Sequence, residues 1–237
     1  MDPTLLSAKK CIYVIGDIHG RLDLLQKLHK LILRDIKKYP HHQKKMIYLG
    51  DLIDRGDESK EVIDTIIKPF KPFEVIALKG NHEDMLLKFL KNPRTAPVWF
   101  INGGLQTLTS YDIPITATQK LDFQELRKAL EYHLPKKHLL FFQTLKTHYV
   151  DENYYFCHAG VNPDYALDKQ PEEDLIWIRE PFISSTKDFG KIVIHGHTYT
   201  AYPVISHNRI GIDTGAVFTN TLTCLVLTDQ ERYFLHT

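Results

Sequence analysis

The sequence predicts an α/β protein with two sheets and a helical insertion, and three observations predict it. The first ninety residues alternate strand-like with helix-like apolar periods, the middle loses its strands, and the second half is rich in strands. In order, CIYVIGD is a strand-length apolar run, and RLDLLQKLHKLILRDI follows with leucines at helical spacing. KKMIYLGD and FEVIALKGN are strands, and each is followed by a helical pattern, ESKEVIDTIIK and HEDMLLKFLK. A βαβαβα rhythm implies parallel strands joined by right-handed crossovers. The residues just past each strand then meet along one edge, where such sheets place ligands.

From residue 92 to 146, PVWFINGGLQTLTSYDI and DFQELRKALEYHLPKKHLLFFQTL read as helices with a Gly-Gly break. HYVDENYYFCHAG, DLIWIRE, KIVIHGH and NRIGIDTGA read as strands, and LTCLVLTDQERYFLHT as a hairpin turning near Thr228 to Glu231. With no repeat, low-complexity tract or linker in view, residues 1–237 are expected to form one domain, with the insertion at about 92–146.

Thirty basic and 29 acidic side chains leave a formal net charge of +1, which gives no reason to expect nucleic acid or a membrane surface as partner. A composition of 43% hydrophobic and 25% charged residues is that of a globular chain. No apolar run approaches the ~18 residues of a membrane span, and the N-terminus runs into a strand without a cleavable signal pattern. A cytoplasmic location is expected. Cys11, Cys157 and Cys224 each lie in an apolar strand-like run and read as reduced core residues, because their spacing fits neither a zinc ribbon nor a redox pair. Without a heptad seam or a regulatory tail, a monomer is expected.

Of thirteen histidines, His29, His41, His42, His133, His138 and His148 read as ordinary surface or core residues. His19, His82, His158, His195 and His197 differ, because each stands in a short stretch where an apolar strand gives way to glycine and metal-capable side chains. These stretches are Gly16-Asp17-Ile18-His19-Gly20, Gly50-Asp51-Leu52-Ile53-Asp54-Arg55-Gly56, Gly80-Asn81-His82-Glu83, His158-Ala159-Gly160 and His195-Gly196-His197. Glycine permits tight turns and close backbone approach. Carboxylate and imidazole together suit divalent metals of intermediate softness. One such stretch is more often a plain turn, but five in series, each at the end of an expected strand, point to a metal site.

The set GDIHG, GDLIDRG, GNHE, HAG and HGHT resembles the calcineurin-like metallophosphoesterases. Within them it is similar to the phosphoprotein phosphatase family of serine/threonine phosphatases, in its bacterial and phage lambda branch. The resemblance runs from Ile12 to about Leu227, and DLIWIRE and IGIDTGAVF share it. It implies two mixed β-sheets forming a central sandwich flanked by helices. It also implies a pair of divalent ions roughly 3.5–4 Å apart, with Mn²⁺ the first choice and Fe, Zn or Co as options.

By the same resemblance, Asp17 and His19 would hold one ion, Asp51 would bridge both, and Asn81, His158 and His197 would complete the second. Arg55 and Arg179 would clamp phosphate, since a guanidinium fork matches two phosphate oxygens. A structural ion pair is the other reading of Arg179. His82 would protonate the leaving oxygen while Asp54 orients it and favours its charged form. Tyr199 stands where the wider superfamily often has a further histidine, as in the phosphatase branch. His195 has no matching ligand role and is assigned a supporting or structural place. Asp57, Glu58 and Glu83 read as acids near helix starts, where the dipole favours them. Cys157, beside His158, should point into the core, because neighbours on a strand face opposite sides.

The implied activity is hydrolysis of phosphoserine or phosphothreonine by direct attack of a metal-bridging hydroxide. The partner would be a phosphorylated protein or a small phosphoester. The second enzymatic reading is a hydrolase of dinucleoside polyphosphates such as diadenosine tetraphosphate, whose symmetrical type usually lacks an acid at the position of Asp54. A catalytically dead scaffold for phosphorylated partners is a third, set against the presence of every expected ligand.

Overall fold

The computed structural model describes residues 5–115 and 122–237. The opening rhythm is realised as β1 (Lys10–Ile15), α1 (Leu22–Asp35), β2 (Gln43–Tyr48), α2 (Ser59–Ile66), β3 (Glu74–Ala77) and α3 (Asn81–Lys91). The three strands are parallel neighbours, with Ile15 beside Tyr48 and Tyr48 beside Ala77, so their C-terminal ends finish level. α1 buries Leu24, Leu25, Leu28, His29 and Ile32 on one stripe against the sheet, the spacing a 3.6-residue turn requires.

The insertion contains α4 (Ala96–Trp99), a π-helical segment (Phe100–Gly104), α5 (Leu105–Ser110), α6 (Phe123–His133) and α7 (Lys136–Thr144). The Gly-Gly break lies in the π segment, where Gly103 takes φ 101°, a left-handed value that favours glycine.

The second half contains β4 (His148–Asp151), β5 (Tyr154–Cys157), α8 (Glu172–Trp177), β6 (Ile192–His195), β7 (Val204–Ile205), β8 (Arg209–Gly211), α9 (Ala216–Thr219), β9 (Thr223–Thr228) and β10 (Arg232–His236). Two expectations need correction. HYVDENYYFCHAG is a hairpin of two strands, turning at Glu152 with φ 50°. DLIWIRE is not a strand: α8 ends at Trp177, with Glu172, Glu173 and Asp174 in its first turn, where acids complement the helix dipole.

The described residues form two five-stranded mixed sheets, ordered β10-β9-β1-β2-β3 and β4-β5-β6-β8-β7. Strand alternation assigns each side chain to a layer. Ile12, Val14, Ile47, Leu49, Leu225 and Leu227 of the first sheet meet Tyr154, Phe156, Ile194 and Ile210 of the second in the sandwich interior. Cys11, Tyr13 and Ile15 face the helices instead. Tyr155 and Cys157 pack with α8 on the outer side of the second sheet. All three cysteines are buried free thiols. Among the described residues, no helix is long and apolar enough to cross a membrane.

Candidate metal centre

Every stretch singled out by its glycines and metal-capable residues follows a strand that ends at the same rim of the sandwich. Asp17 and His19 follow β1, Asp51 follows β2, and Asn81 opens α3 just beyond β3. His158 follows β5, His197 follows β6 and Asp213 follows β8. The turns are tight. His19, Asp51, Asp54, Arg55 and His197 all have φ between 47° and 71°, a conformation costly for residues with a Cβ and characteristic of functional sites. Two glycines let the backbone pass against the carboxylates. A Cβ on Gly80 would stand 2.2 Å from Asp51 Oδ1, and one on Gly196 would stand 2.0 Å from Asp17 Oδ1.

Among the described residues two buried groups of potential ligands result, His19-Asp51-His82 and Asp51-His158-His197, each with its ligand atoms within 4.8 Å of one another. Asp51 belongs to both. His19 Nδ1 donates to the Ile53 carbonyl (2.9 Å) and His158 Nδ1 to that of Leu49 (3.0 Å), which leaves each Nε2 lone pair facing the centre. Asn81 Oδ1 lies 3.0 Å from His158 Nε2. Asp17 falls in neither group. Its Oδ2 accepts the backbone N–H of His197 at 3.0 Å.

The donor set fits divalent cations. Asp17 Oδ1 and His197 Nε2 are buried without a hydrogen-bond partner, an arrangement that calls for one. Burial, then the charges of Asp213 and Asp51, push the Asp17 carboxyl well above its usual range. Burial also raises Asp51, but His158 and His82 outweigh it and hold Asp51 well below that range. A cation among these acids relieves their repulsion. Burial, then His158, lowers His197 to about 3, and burial, then His82, lowers His19, so both imidazoles favour the neutral form that binds metal.

His82 differs from the other imidazoles. Its Nδ1 donates to Asp54 Oδ2 at 2.7 Å, and both side chains are fully buried. Its Nε2 lies 3.1 Å from Arg55 Nη2, while Arg55 Nη1 lies 2.7 Å from His19 Nε2. The Arg55 backbone N–H bonds Gly103 of the π segment at 3.2 Å. The other donors to the Asp54 carboxylate come from the insertion: Trp99 Nε1 donates to Oδ2 (2.8 Å) and Thr107 Oγ1 to Oδ1 (2.5 Å). A cavity of about 500 Å³ opens over the centre, lined by Arg55, Arg179, His197, Asp213, Tyr199 and Phe218 among others. Arg179 is exposed and, among the described residues, in no ion pair. Its reading as a buried ion-pair residue is therefore not met. Tyr199 and Phe218 are more than half exposed at the cavity mouth, their ring centroids 5.6 Å apart.

His195 lies outside both ligand groups. It is buried with Nδ1 3.0 Å from the Gly196 carbonyl and its ring against the edge of Phe182. The Cys157 thiol bonds the Gly160 carbonyl at 3.3 Å and faces the core.

Motif reading undervalued Glu83 and missed three other residues. Glu83 is wholly buried and accepts the backbone N–H groups of Asp51 (3.0 Å), Leu52 (2.8 Å), Ile53 (3.4 Å) and Gly80 (2.8 Å). It caps the start of α3 through the Gly80 N–H and at the same time fixes the turn that carries Asp51. Burial, then the Asp51 charge, raise it to about 7. Asp213 is buried beside Asp17 and accepts from Gly215 N–H at 2.8 Å; its position after the strand NRIGI was the available signal. Trp99 and Thr107 gave none, because they bear on the site from a distant helical stretch.

With this geometry in view, the relatives are informative. The model of the calcineurin-like phosphoesterase family matches residues 12–216. The chain is 30% identical over 223 residues to serine/threonine-protein phosphatase 2 of Salmonella typhimurium, covering 90% of each. It is 25% identical over 240 residues to the asymmetrical bis(5'-nucleosyl)-tetraphosphatase PrpE of Oceanobacillus iheyensis, covering 93% of this chain and 90% of that one. The fold matches the cold-active protein-tyrosine phosphatase of a Shewanella species with a TM-score of 0.61 at 16% identity, covering 99% of this chain and 82% of that one. Sandwich, ligand groups and sequence kinship agree: the chain belongs to the calcineurin-like phosphoesterase family, the metal-dependent hydrolases of phosphoesters.

Proposed function

We propose that the protein is a dinuclear-metal phosphomonoesterase that dephosphorylates phosphoserine and phosphothreonine in proteins. The observation that carries this reading is the buried hydrogen bond between Asp54 and His82. An alkoxide is a poor leaving group and needs a proton as the P–O bond breaks, whereas a phosphate leaving from a polyphosphate needs little help. A site built with an oriented imidazole suits the first task.

Asp17 and His19 would hold one ion, Asn81, His158 and His197 the other, and Asp51 both. When bound, the ions, Mn²⁺ by first choice, supply Lewis-acid charge to the phosphoryl oxygens and the attacking water. Arg55 and Arg179 turn their forks to the remaining phosphoryl oxygens and orient phosphorus for in-line displacement. His82 gives its Nε2 proton to the departing oxygen, and Asp54 balances the imidazolium beforehand. Water supplies the oxygen that ends on phosphate, so a phosphoester and water yield an alcohol and phosphate. Residues 1–237 act as one catalytic domain, and the three buried thiols suit a reducing cytoplasm.

A second reading, hydrolysis of dinucleoside polyphosphates, draws on the aromatic mouth formed by Tyr199 and Phe218, which offers a flat face to a base. The likeness to the tetraphosphatase supports it too. One experiment separates the two. Metal is removed and Mn²⁺ restored, then phosphate release from a phosphothreonine peptide is measured beside nucleotide release from diadenosine tetraphosphate. Mn²⁺-dependent peptide turnover that falls roughly 100-fold in Asp54→Asn, with the dinucleotide a poor substrate, is the expected result. Strong cleavage of the dinucleotide with little action on the peptide moves the protein to the second reading.

A further inference from the structure

We propose that Trp99 and Thr107, from the helical insertion, are positioning residues for the proton donor. They hold the Asp54 carboxylate so that His82 keeps Nε2 directed at the leaving-group oxygen. The proposal rests on the reading of His82 as that donor.

A carboxylate on a short side chain can still rotate about its last bond, and an imidazole tied to one oxygen swings with it. Here both oxygens are taken. Thr107 Oγ1 donates to Oδ1 at 2.5 Å, while Trp99 Nε1 and His82 Nδ1 both donate to Oδ2, at 2.8 and 2.7 Å. The Asp54 backbone is fixed as well. It has φ 71°, and its N–H lies 3.0 Å from both Thr107 Oγ1 and Ser59 Oγ. Asp54, Trp99 and Thr107 are all 0% exposed, so water cannot replace a lost donor without a rearrangement.

The geometry of the insertion is shaped for this contact. Eight residues of regular α-helix would set Trp99 and Thr107 about 12 Å apart along the axis and ~80° around it, too far for one carboxylate. The π segment between them, with Gly103 at φ 101°, breaks the helix and brings both to Asp54. Gly104 leaves the room. A Cβ there would stand 2.5 Å from the Trp99 ring, which also packs against Phe89 at 5.0 Å between centroids.

The test uses the metal-loaded protein, with metal content measured for each variant. Asp54→Asn, Trp99→Phe, Thr107→Val and Thr107→Ser are assayed on a phosphothreonine peptide, whose leaving group needs a proton, and on p-nitrophenyl phosphate, whose leaving group hardly does. Trp99→Phe and Thr107→Val should each lower kcat on the peptide about 10-fold, with KM unchanged and less than about a 2-fold loss on the aryl ester. Thr107→Ser restores the hydroxyl and should restore the rate.

In the metal-free protein, the low-field Nδ1 proton of His82 should be sharp by NMR in wild type and Thr107→Ser, and exchange-broadened in Trp99→Phe and Thr107→Val. Equal losses on both substrates in these two variants, with Asp54→Asn still selective for the peptide, overturn the inference and leave the donor reading intact. Equal losses in Asp54→Asn itself remove the donor reading and this inference together. Should Trp99→Phe fail to fold, the Thr107 pair decides alone.

Discussion

The two sides of Asp51 are built from the same residue types and differ in what surrounds them. On one side, His19 and His82 stand against charge. The Arg55 guanidinium reaches both imidazoles and Asp54 backs His82. On the other, His158 and His197 meet quieter neighbours: the Asn81 amide, the Leu49 carbonyl and the edge of Trp177. The first side comes from the loops of the βαβαβα half and is braced by the insertion. The second is supplied mainly by the second sheet. An imidazole that only binds needs a fixed tautomer and a lone pair, which one backbone carbonyl provides. One that must also move a proton needs a partner for its charged form, and that partner must in turn be held.

The largest expected effect breaks both sides together. Asp51→Asn removes the carboxylate that both ligand groups share. Bound metal, read by atomic emission, should fall on both sides, and phosphoester hydrolysis should drop roughly 10³-fold. Retention of a full metal complement would show the two groups to be independent.

Next comes the brace beneath them. Glu83→Gln keeps the shape of the side chain and turns an amide N–H₂ towards backbone N–H groups that need an acceptor. Urea unfolding should show a loss of about 4 kcal/mol. Metal affinity should weaken on both sides, because the turn that carries Asp51 loosens. Unchanged stability would mean that the turn holds itself.

The smallest effect lies outside both sides and separates global stability from the site. His29 is buried, stacked on Phe70 and 2.8 Å from the Tyr48 hydroxyl, and burial lowers it to about 4. The unfolded chain therefore takes up its proton first. The contribution is complete above the unfolded value near 6.5 and is lost as pH falls from there through 4. His29→Gln should flatten the thermal-stability curve over that window by on the order of 2–3 kcal/mol, with hydrolysis at neutral pH unaltered.

The first half of the fold and the ligand motifs were legible because each motif sits directly after its own strand, so local pattern and site coincide. DLIWIRE was misread as a strand because four apolar residues in a row fit a short helix equally well, and only the acids of its first turn tell the two apart. Glu83 looked like a helix-start acid because what distinguishes it is a set of backbone N–H groups some thirty residues away. Trp99 and Thr107 act on Asp54 across 45 and 53 residues, and a linear reading carries no trace of such a contact.

The sheet order has a consequence for biosynthesis. β1 pairs on one side with β2, close by in sequence, and on the other with β9, which follows it by about 200 residues. The Asp17 carboxylate waits for the His197 backbone, 180 residues later. During synthesis, one edge of β1 and the turn after it thus remain open until β9 and His197 have emerged. Until then the Asp51-His158-His197 group is incomplete, and the interval in which that edge is bare is when the chain is most exposed to misassociation.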